Sequence, residues 1–237
     1  MQIKRNIKLV LSINWLKTLY INIKYVYFRK IKEGDYKALR NMLILSKCLP
    51  IIVFWGGVLR VSNTGQLILG DELITGMLKI GIKSIPFAGY NTRLDISGKL
   101  TICGKCSIGR GSYIYVGKDA SLFFGGDFCS SGNDRIICKR SIEFGKGCML
   151  SWDILIMDSD LHNIYNDEGI VMNADKSIIV GDKVWICSKA TILKGAYIPS
   201  NSIVASCSVY KGKQVTNNSI YATNYKTILL SDFNSWG

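Results

Sequence analysis

The chain contains a single histidine, His162, among 237 residues, and only three prolines. One histidine rules out any metal site that needs several imidazoles. Three prolines leave no room for a proline-rich linker. Acidic residues are scarce: 17 Asp and Glu face 30 Lys and Arg, a formal charge of +13. The longest apolar runs fall far short of the ~20 residues of a membrane-spanning helix. No secretory leader is expected at the N-terminus, and the eight cysteines have no regular spacing. Together these features predict a reducing, cytoplasmic setting. Cys103 and Cys106 form a lone CxxC with no second pair and no histidine nearby. No metal is expected there or elsewhere.

The excess charge is unevenly spread. Residues 1–40 hold ten Lys and Arg against Glu33 and Asp35, which is +8 of the +13. The same segment holds Trp15, Tyr20, Tyr25, Tyr27 and Phe28. Residues 1–50 therefore read as a basic, aromatic helical appendage, with one or two helices over 7–47 broken near Lys32–Asp35. Such a segment either packs against the end of the rest of the chain with its lysines in water or lies on an anionic membrane surface. Nothing in the chain resembles a nucleic-acid-binding module, so no nucleic-acid partner is expected.

The rest of the chain is ruled by a period of six. Val180, Ile186, Ile192, Ile198, Val204 and Tyr210 recur without a slip, as do Ile96, Ile102, Ile108 and Ile114, and then Cys138, Phe144, Leu150 and Ile156. Neither a helix nor a flat strand sustains that period. A coil that turns one corner per repeat does, with one apolar residue of each repeat pointing inward, and this is the mark of a β-solenoid. Residues 51–230 read as that solenoid and 231–237 as a tail. Ile51–Leu59 reads as a strand, and 60–95 as irregular first coils of the kind that cap a stack. Position i+4 is mostly small or branched (Cys106, Ser112, Cys148, Ala190, Ala196, Ser202, Ser208), which suits a tight corner. The phase jumps by two at Val116, Leu122 and Phe128, as a corner insertion would cause. Gly125–Asp134 reads as a loop.

The stretch VGDKVWICSKATIL followed by SIVASCSVY resembles the hexapeptide-repeat acyltransferases. That resemblance implies an all-β solenoid, a left-handed parallel β-helix with three strands per coil. Periodicity alone would have favoured a right-handed connection.

His162 lies just beyond the inward Ile156, and the 23 residues that follow Ile156 interrupt the coil until Val180. Asp153, Asp158 and Asp160 are close to it in sequence and are candidates to orient an imidazole. The segment SWDILIMDSDLHNIY, residues 151–165, is similar to the active-site segment of bacterial sugar O-acetyltransferases of the hexapeptide group, which decorate cell-surface polysaccharides. By that resemblance His162 is the general base, and nearness in sequence offers Asp160 and Asp158 as its supports. Trp152, Asp153, Asn163 and Tyr165 would meet the acceptor, with 163–176 part of its pocket. The donor would be acetyl-CoA, used as cosubstrate, lying between subunits of a homotrimer. Trp185 would line its groove, Ser188 and Ser206 would meet its pantetheine arm, and Lys211 and Lys226 would stand near its phosphates. The chain departs from the family pattern at Cys187, at Ala205–Ser206, at Lys211 and in NYKT.

The implied activity is acetyl transfer to a hydroxyl of a capsule or lipopolysaccharide O-antigen saccharide, or its precursor. The alternatives are a non-catalytic solenoid scaffold and a serine-acetyltransferase-like enzyme with a small acceptor. A γ-class carbonic anhydrase on the same fold is excluded, because it needs three histidines.

Overall fold

Short strands of two to seven residues, each followed by a corner, dominate the chain from Ile51 onward. In most strands buried residues alternate with more exposed ones, the pattern of a pleated ribbon with one face on a core. The computed structural model describes residues 13–27, 49–70, 72–213, 216–224 and 226–232, with the backbone alone for Tyr27, Asn224 and 226–232.

Every third strand stacks, so three parallel sheets form the faces of a prism. The first face runs through Ile51–Val53, Leu78–Ile82, Cys106–Gly109, Phe128–Gly132, Met149–Trp152, Trp185–Ile186, Ile203–Val204 and Ser219–Asn224. Lys226–Asp232 closes it as an antiparallel edge strand. The second face comprises Gly57–Val61, Thr92–Ile96, Tyr113–Val116, Arg135–Cys138, Leu155–Met157, Thr191–Leu193 and Val209–Tyr210. The third comprises Gln66–Leu69, Lys99–Ile102, Ser121–Phe124, Ser141–Phe144, Ile178–Val180 and Tyr197–Ile198. Register keeps like on like: Ile114, Ile136, Ile156, Ile192 and Tyr210 follow one another up the second face.

The six-residue period is one face plus one corner. Each repeat points two residues inward rather than one. Cys106, Ser112, Cys148, Ala190, Ala196, Ser202 and Ser208, expected as corner residues, are buried at strand starts beside the main apolar position. They are small because the prism is narrow there. Between the third and fourth coils Phe124, Phe128 and Phe144 pack with ring centroids 4.3 to 5.3 Å apart. Each such buried side chain contributes roughly 1.5–3 kcal/mol.

The phase jump is a pair of extra strand residues and not a corner insertion. Tyr113–Val116 and Ser121–Phe124 have four residues each where Trp185–Ile186 has two, so that Ile114 and Val116, then Leu122 and Phe124, both face inward. Gly125–Asp134 is not a loop throughout. Gly126 (φ 107°) and Asp127 (φ 52°) turn the corner, and Phe128–Gly132 then forms a strand with Phe128 and Ser130 buried. Its glycine and serine content hid a strand whose outer face needs no bulk.

The described part of the appendage is the helix α1 (Trp15–Asn22) and a π-turn, Ile23–Tyr27. Residues 1–12 and 28–48, with the helix break expected near Lys32–Asp35, lie outside the described residues. Asn14 caps α1 by accepting from Lys17 N at 3.0 Å. Thr18 and Asn22, both fully buried, then imitate a strand. Asn22 exchanges two hydrogen bonds with the Ile51 backbone, at 2.7 and 3.0 Å. Thr18 Oγ1 accepts from Val53 N at 3.0 Å and donates to Val53 O at 3.3 Å. The match is geometric: four helical residues rise about 6 Å, and two strand residues about 6.6 Å. The open edge of the first face is thereby satisfied.

Candidate active site

His162 stands on an excursion that leaves the coil after Leu155–Met157 and returns at Ile178. Its base is closed by Lys176 N donating to Asp158 O at 3.0 Å. Its arms meet in an antiparallel bridge between Tyr165 and Val171, and Asn166 folds the tip by accepting from Glu168 N and Ile170 N. Leu161, immediately before the histidine, has φ 65°. A bulky residue in that region costs on the order of 1–2 kcal/mol. His162 is exposed, and among the described residues nothing hydrogen-bonds its imidazole.

The two carboxylates expected to orient it are engaged elsewhere. Asp158 is fully buried. Its oxygens accept from the backbone N–H groups of Lys139 (2.7 Å), Arg140 (2.8 Å) and Ser141 (2.7 Å), pinning the corner of the coil before. Asp160 Oδ2 pairs with Lys194 Nζ at 2.5 Å and accepts from Asn173 Nδ2 at 2.9 Å. These two partners, Lys194 first, hold the Asp160 carboxyl below the usual carboxylate range.

The expected site residues fall into two groups on opposite edges of the second face, not on one face. Trp152, Asp153, Trp185, Ser188 and Ser206 lie on the first face or at the corner between first and second. Trp185 Nε1 donates to Ser151 Oγ at 3.0 Å, Ser188 and Ser206 hydroxyls are 3.3 Å apart, and Trp152 meets Phe87 edge-on at 5.7 Å. His162, Asp160, Asn163, Tyr165 and Lys211 lie at the next corner, between second and third. Asn163 Nδ2 donates to Tyr165 Oη at 3.1 Å. About 10 Å of strand separates the two corners. The Lys226 side chain lies outside the described residues.

The second corner holds something the sequence reading missed. A cavity of about 1030 Å³ is lined by Arg140, Lys176, Lys194, Lys211 and Lys213 against the single acid Asp175. Lys194 trails Ile192 by two residues, as Arg140 trails Cys138, so the repeat register alone would have put both at that corner. Asn173 was missed too, having no motif to mark it.

At the first corner Asp134 is buried, accepts from Ile154 N at 3.0 Å and from Ser130 Oγ, and is pushed up to about 7 by burial. The CxxC pair diverges: Cys106 is in the core, its thiol pushed up by burial, while Cys103 is exposed. Among the described residues no three His, Cys, Asp or Glu side chains converge as metal ligands would.

These coils define a hexapeptide-repeat protein with the left-handed parallel β-helix fold, the architecture expected from the repeat. Within that class it is similar to the polysialic acid O-acetyltransferase of Neisseria meningitidis, with 28% identity over 137 residues. That match covers 57% of this chain and 58% of the relative, so it spans somewhat more than half of the relative's length. The crystal structure of the polysialic acid O-acetyltransferase OatWY superposes with a TM-score of 0.52 at 23% identity, over 81% of this chain and 89% of that one. No protein-family model matches the chain.

Proposed function

We propose that the protein is an acetyl-CoA-dependent O-acetyltransferase that acetylates a hydroxyl of a cell-surface saccharide, of the capsule or O-antigen type, or of its precursor. The observation that carries this is the presentation of the only histidine. It stands exposed on an excursion from an otherwise regular coil, preceded by a strained residue and rooted beside a strongly basic cavity. The similarity to a polysaccharide O-acetyltransferase supports the same reading.

In this mechanism the His162 imidazole accepts the proton of the acceptor hydroxyl as its oxygen attacks the thioester carbon. The C–O bond forms, the C–S bond breaks, and the proton passes to the departing thiolate. A positioned base of this kind contributes about 10²–10⁴ in rate. Trp185, Ser188 and Ser206 form the ridge for the pantetheine arm. Lys211, with Arg140, Lys176, Lys194 and Lys213, offers positive charge to the donor's phosphates. Trp152, Asp153, Asn163 and Tyr165 are left to the acceptor.

Because ridge and histidine lie on different corners, we place them in one site by pairing two copies of the chain, in a closed homotrimer. Two exposed apolar surfaces support this: Leu161, Ile164, Tyr165, Ile170 and Met172 on the excursion, and Val209 on the second face.

For location, we propose peripheral attachment at the inner face of the cytoplasmic membrane. Among the described residues no helix is long and apolar enough to cross a membrane. The face of α1 turned from the coil carries Trp15, Leu16, Leu19 and Tyr20, all exposed, within the strongly basic first 40 residues.

The test is acetyl transfer from acetyl-CoA to purified surface polysaccharide, with hydrolysis subtracted. His162→Ala should lower kcat by about 10²–10⁴ with donor affinity unchanged. Turnover near that of the parent would overturn the general-base assignment and call for another base, and no transfer by the parent itself would leave the scaffold reading in its place.

A further inference from the structure

Asn173 is eleven residues from His162 in sequence, on the returning arm of the excursion. Every hydrogen-bonding group of its side chain is directed at the segment around the histidine. Its Nδ2 donates to His162 O at 2.8 Å and to Asp160 Oδ2 at 2.9 Å. Its Oδ1 accepts from Ile164 N at 2.6 Å. One amide thus holds the carboxylate two residues before His162, the backbone at it, and the backbone two residues after it. Asn173 is in turn held from behind, because Lys194 Nζ donates to Asn173 O and to Asp160 Oδ2. Lys194 follows the inward Ile192, so the clamp is anchored on a rigid coil rather than on the excursion.

We infer that Asn173 is the positioning residue of His162, and that Lys194 and Asp160 act on the histidine through it rather than by touching the imidazole. The inference rests on the general-base reading of His162.

The chemistry needs all three bonds. Leu161 enters the histidine with φ 65°, a conformation that relaxes unless its surroundings hold it. Ser159 Oγ accepts from Leu161 N at 3.0 Å on one side, and Asn173 holds the other. The amide alone among side chains of this size offers two donors and an acceptor in one plane. The charge sequence fits as well: the Lys194 cation meets the Asp160 carboxylate, which meets the neutral amide. No like charges oppose one another in the chain.

The experiment is a double-mutant cycle read as kcat and KM separately. Asn173→Ala should lower kcat by up to about 10²-fold, the cost of about 1 Å of misplacement at a reacting group. KM for acetyl-CoA should stay within about twofold, since the Asn173 side chain meets neither the ridge nor a lysine, and the bond from Lys194 Nζ goes to the Asn173 backbone oxygen, which Asn173→Ala keeps. Asn173→Asp should be worse than Asn173→Ala, because it turns an acceptor oxygen on Asp160 and on His162 O. Asn173→Gln should not recover more than a small part, its amide being displaced by one methylene. In a His162→Ala background, Asn173→Ala should change the residual rate by less than about twofold. An equal fall of kcat in both backgrounds would mean that Asn173 serves the acceptor pocket or the fold, and would overturn the inference. So would parent-like kcat in Asn173→Ala while His162→Ala is inactive. If His162→Ala alone keeps parent turnover, the general-base reading fails first, and the cycle shows it before Asn173 is judged.

Discussion

Asp158 offers a sharp test because its sequence neighbourhood and its structure assign it different work. Its carboxylate accepts three backbone N–H groups from 139–141, at 2.7 to 2.8 Å, inside a fully buried corner. Asp158→Asn keeps the shape but has one acceptor oxygen. If that oxygen stays with Arg140 N and Ser141 N, the new amide N–H₂ faces the Lys139 N–H, donor against donor. One bond to a charged group is then lost, at about 1.5–3 kcal/mol. The two that remain weaken to roughly half. The sum is about 3–6 kcal/mol. For a chain of this size each kcal/mol moves Tm by about 2–4 °C, so Tm should fall by roughly 6–24 °C. Thermal unfolding followed by circular dichroism at fixed protein concentration reads this, with Asp160→Asn as the control. Asp160 is half exposed and should move Tm by less than about 2 °C, since exposed pairs contribute little. If Asp158→Asn also stayed within about 2 °C, the corner lock would not be what holds this coil, and an acceptor-side or catalytic role for Asp158 would regain ground.

Three further outcomes follow from the same geometry. Asp134 is raised from the ordinary 3.8 to about 7 by burial, so the folded state holds a proton that the unfolded state gives up between those values. Stability should therefore decline as pH rises from about 4 to about 7 and level off above, by at most roughly 4 kcal/mol at about 1.4 per pKa unit; Asp134→Asn should flatten the urea midpoint across that window, and a parent-like slope would point to another group. Asn22→Ala strands the N–H and C=O of Ile51 beneath the helix and should cost about 2–4 kcal/mol, seen as a lower denaturation midpoint; Lys17→Ala, which loses one exposed bond to Gly57 O, should cost under about 1. Light scattering should return the mass of three chains, and a fully active monomer would refute the two-corner site.

The fold was legible because a solenoid writes its geometry into the sequence at short range. Ile96 to Ile114 and Val180 to Tyr210 need only local spacing to show that they face one core. The strand Phe128–Gly132 escaped because four of its five residues are cysteine, serine or glycine, which leaves Phe128 as its single bulky apolar signal. His162 was legible as an interruption of a period. Its supports were not: Asp160 is two residues away in sequence but is tied to Lys194, 34 residues on, and Asn173 acts across a hairpin whose pairing no local pattern encodes. Nearness in sequence suggested the carboxylates as partners of the imidazole, whereas the folded chain spends them on a corner and on a lysine. The basic cavity assembles from three successive coils and the excursion, so its residues look scattered until the coils are stacked.

The use of Thr18 and Asn22 in place of a strand has a bearing on how the protein behaves in a crowded solution. A stack of parallel coils is a polymerisation template at any end where its ladder is left open, because an incoming chain of any sequence can satisfy the same donors and acceptors. Here the first rung of the first face is satisfied by two side chains of a helix, with Asn14 N also donating to Val53 O, and a helix cannot pass the pattern on. On that face the ladder is terminated chemically rather than merely shielded. A chain that loses this helix would keep its coils and gain a seed for filaments, so its defect would appear first as a concentration-dependent lag before turbidity, in a protein whose spectrum still reports the native fold.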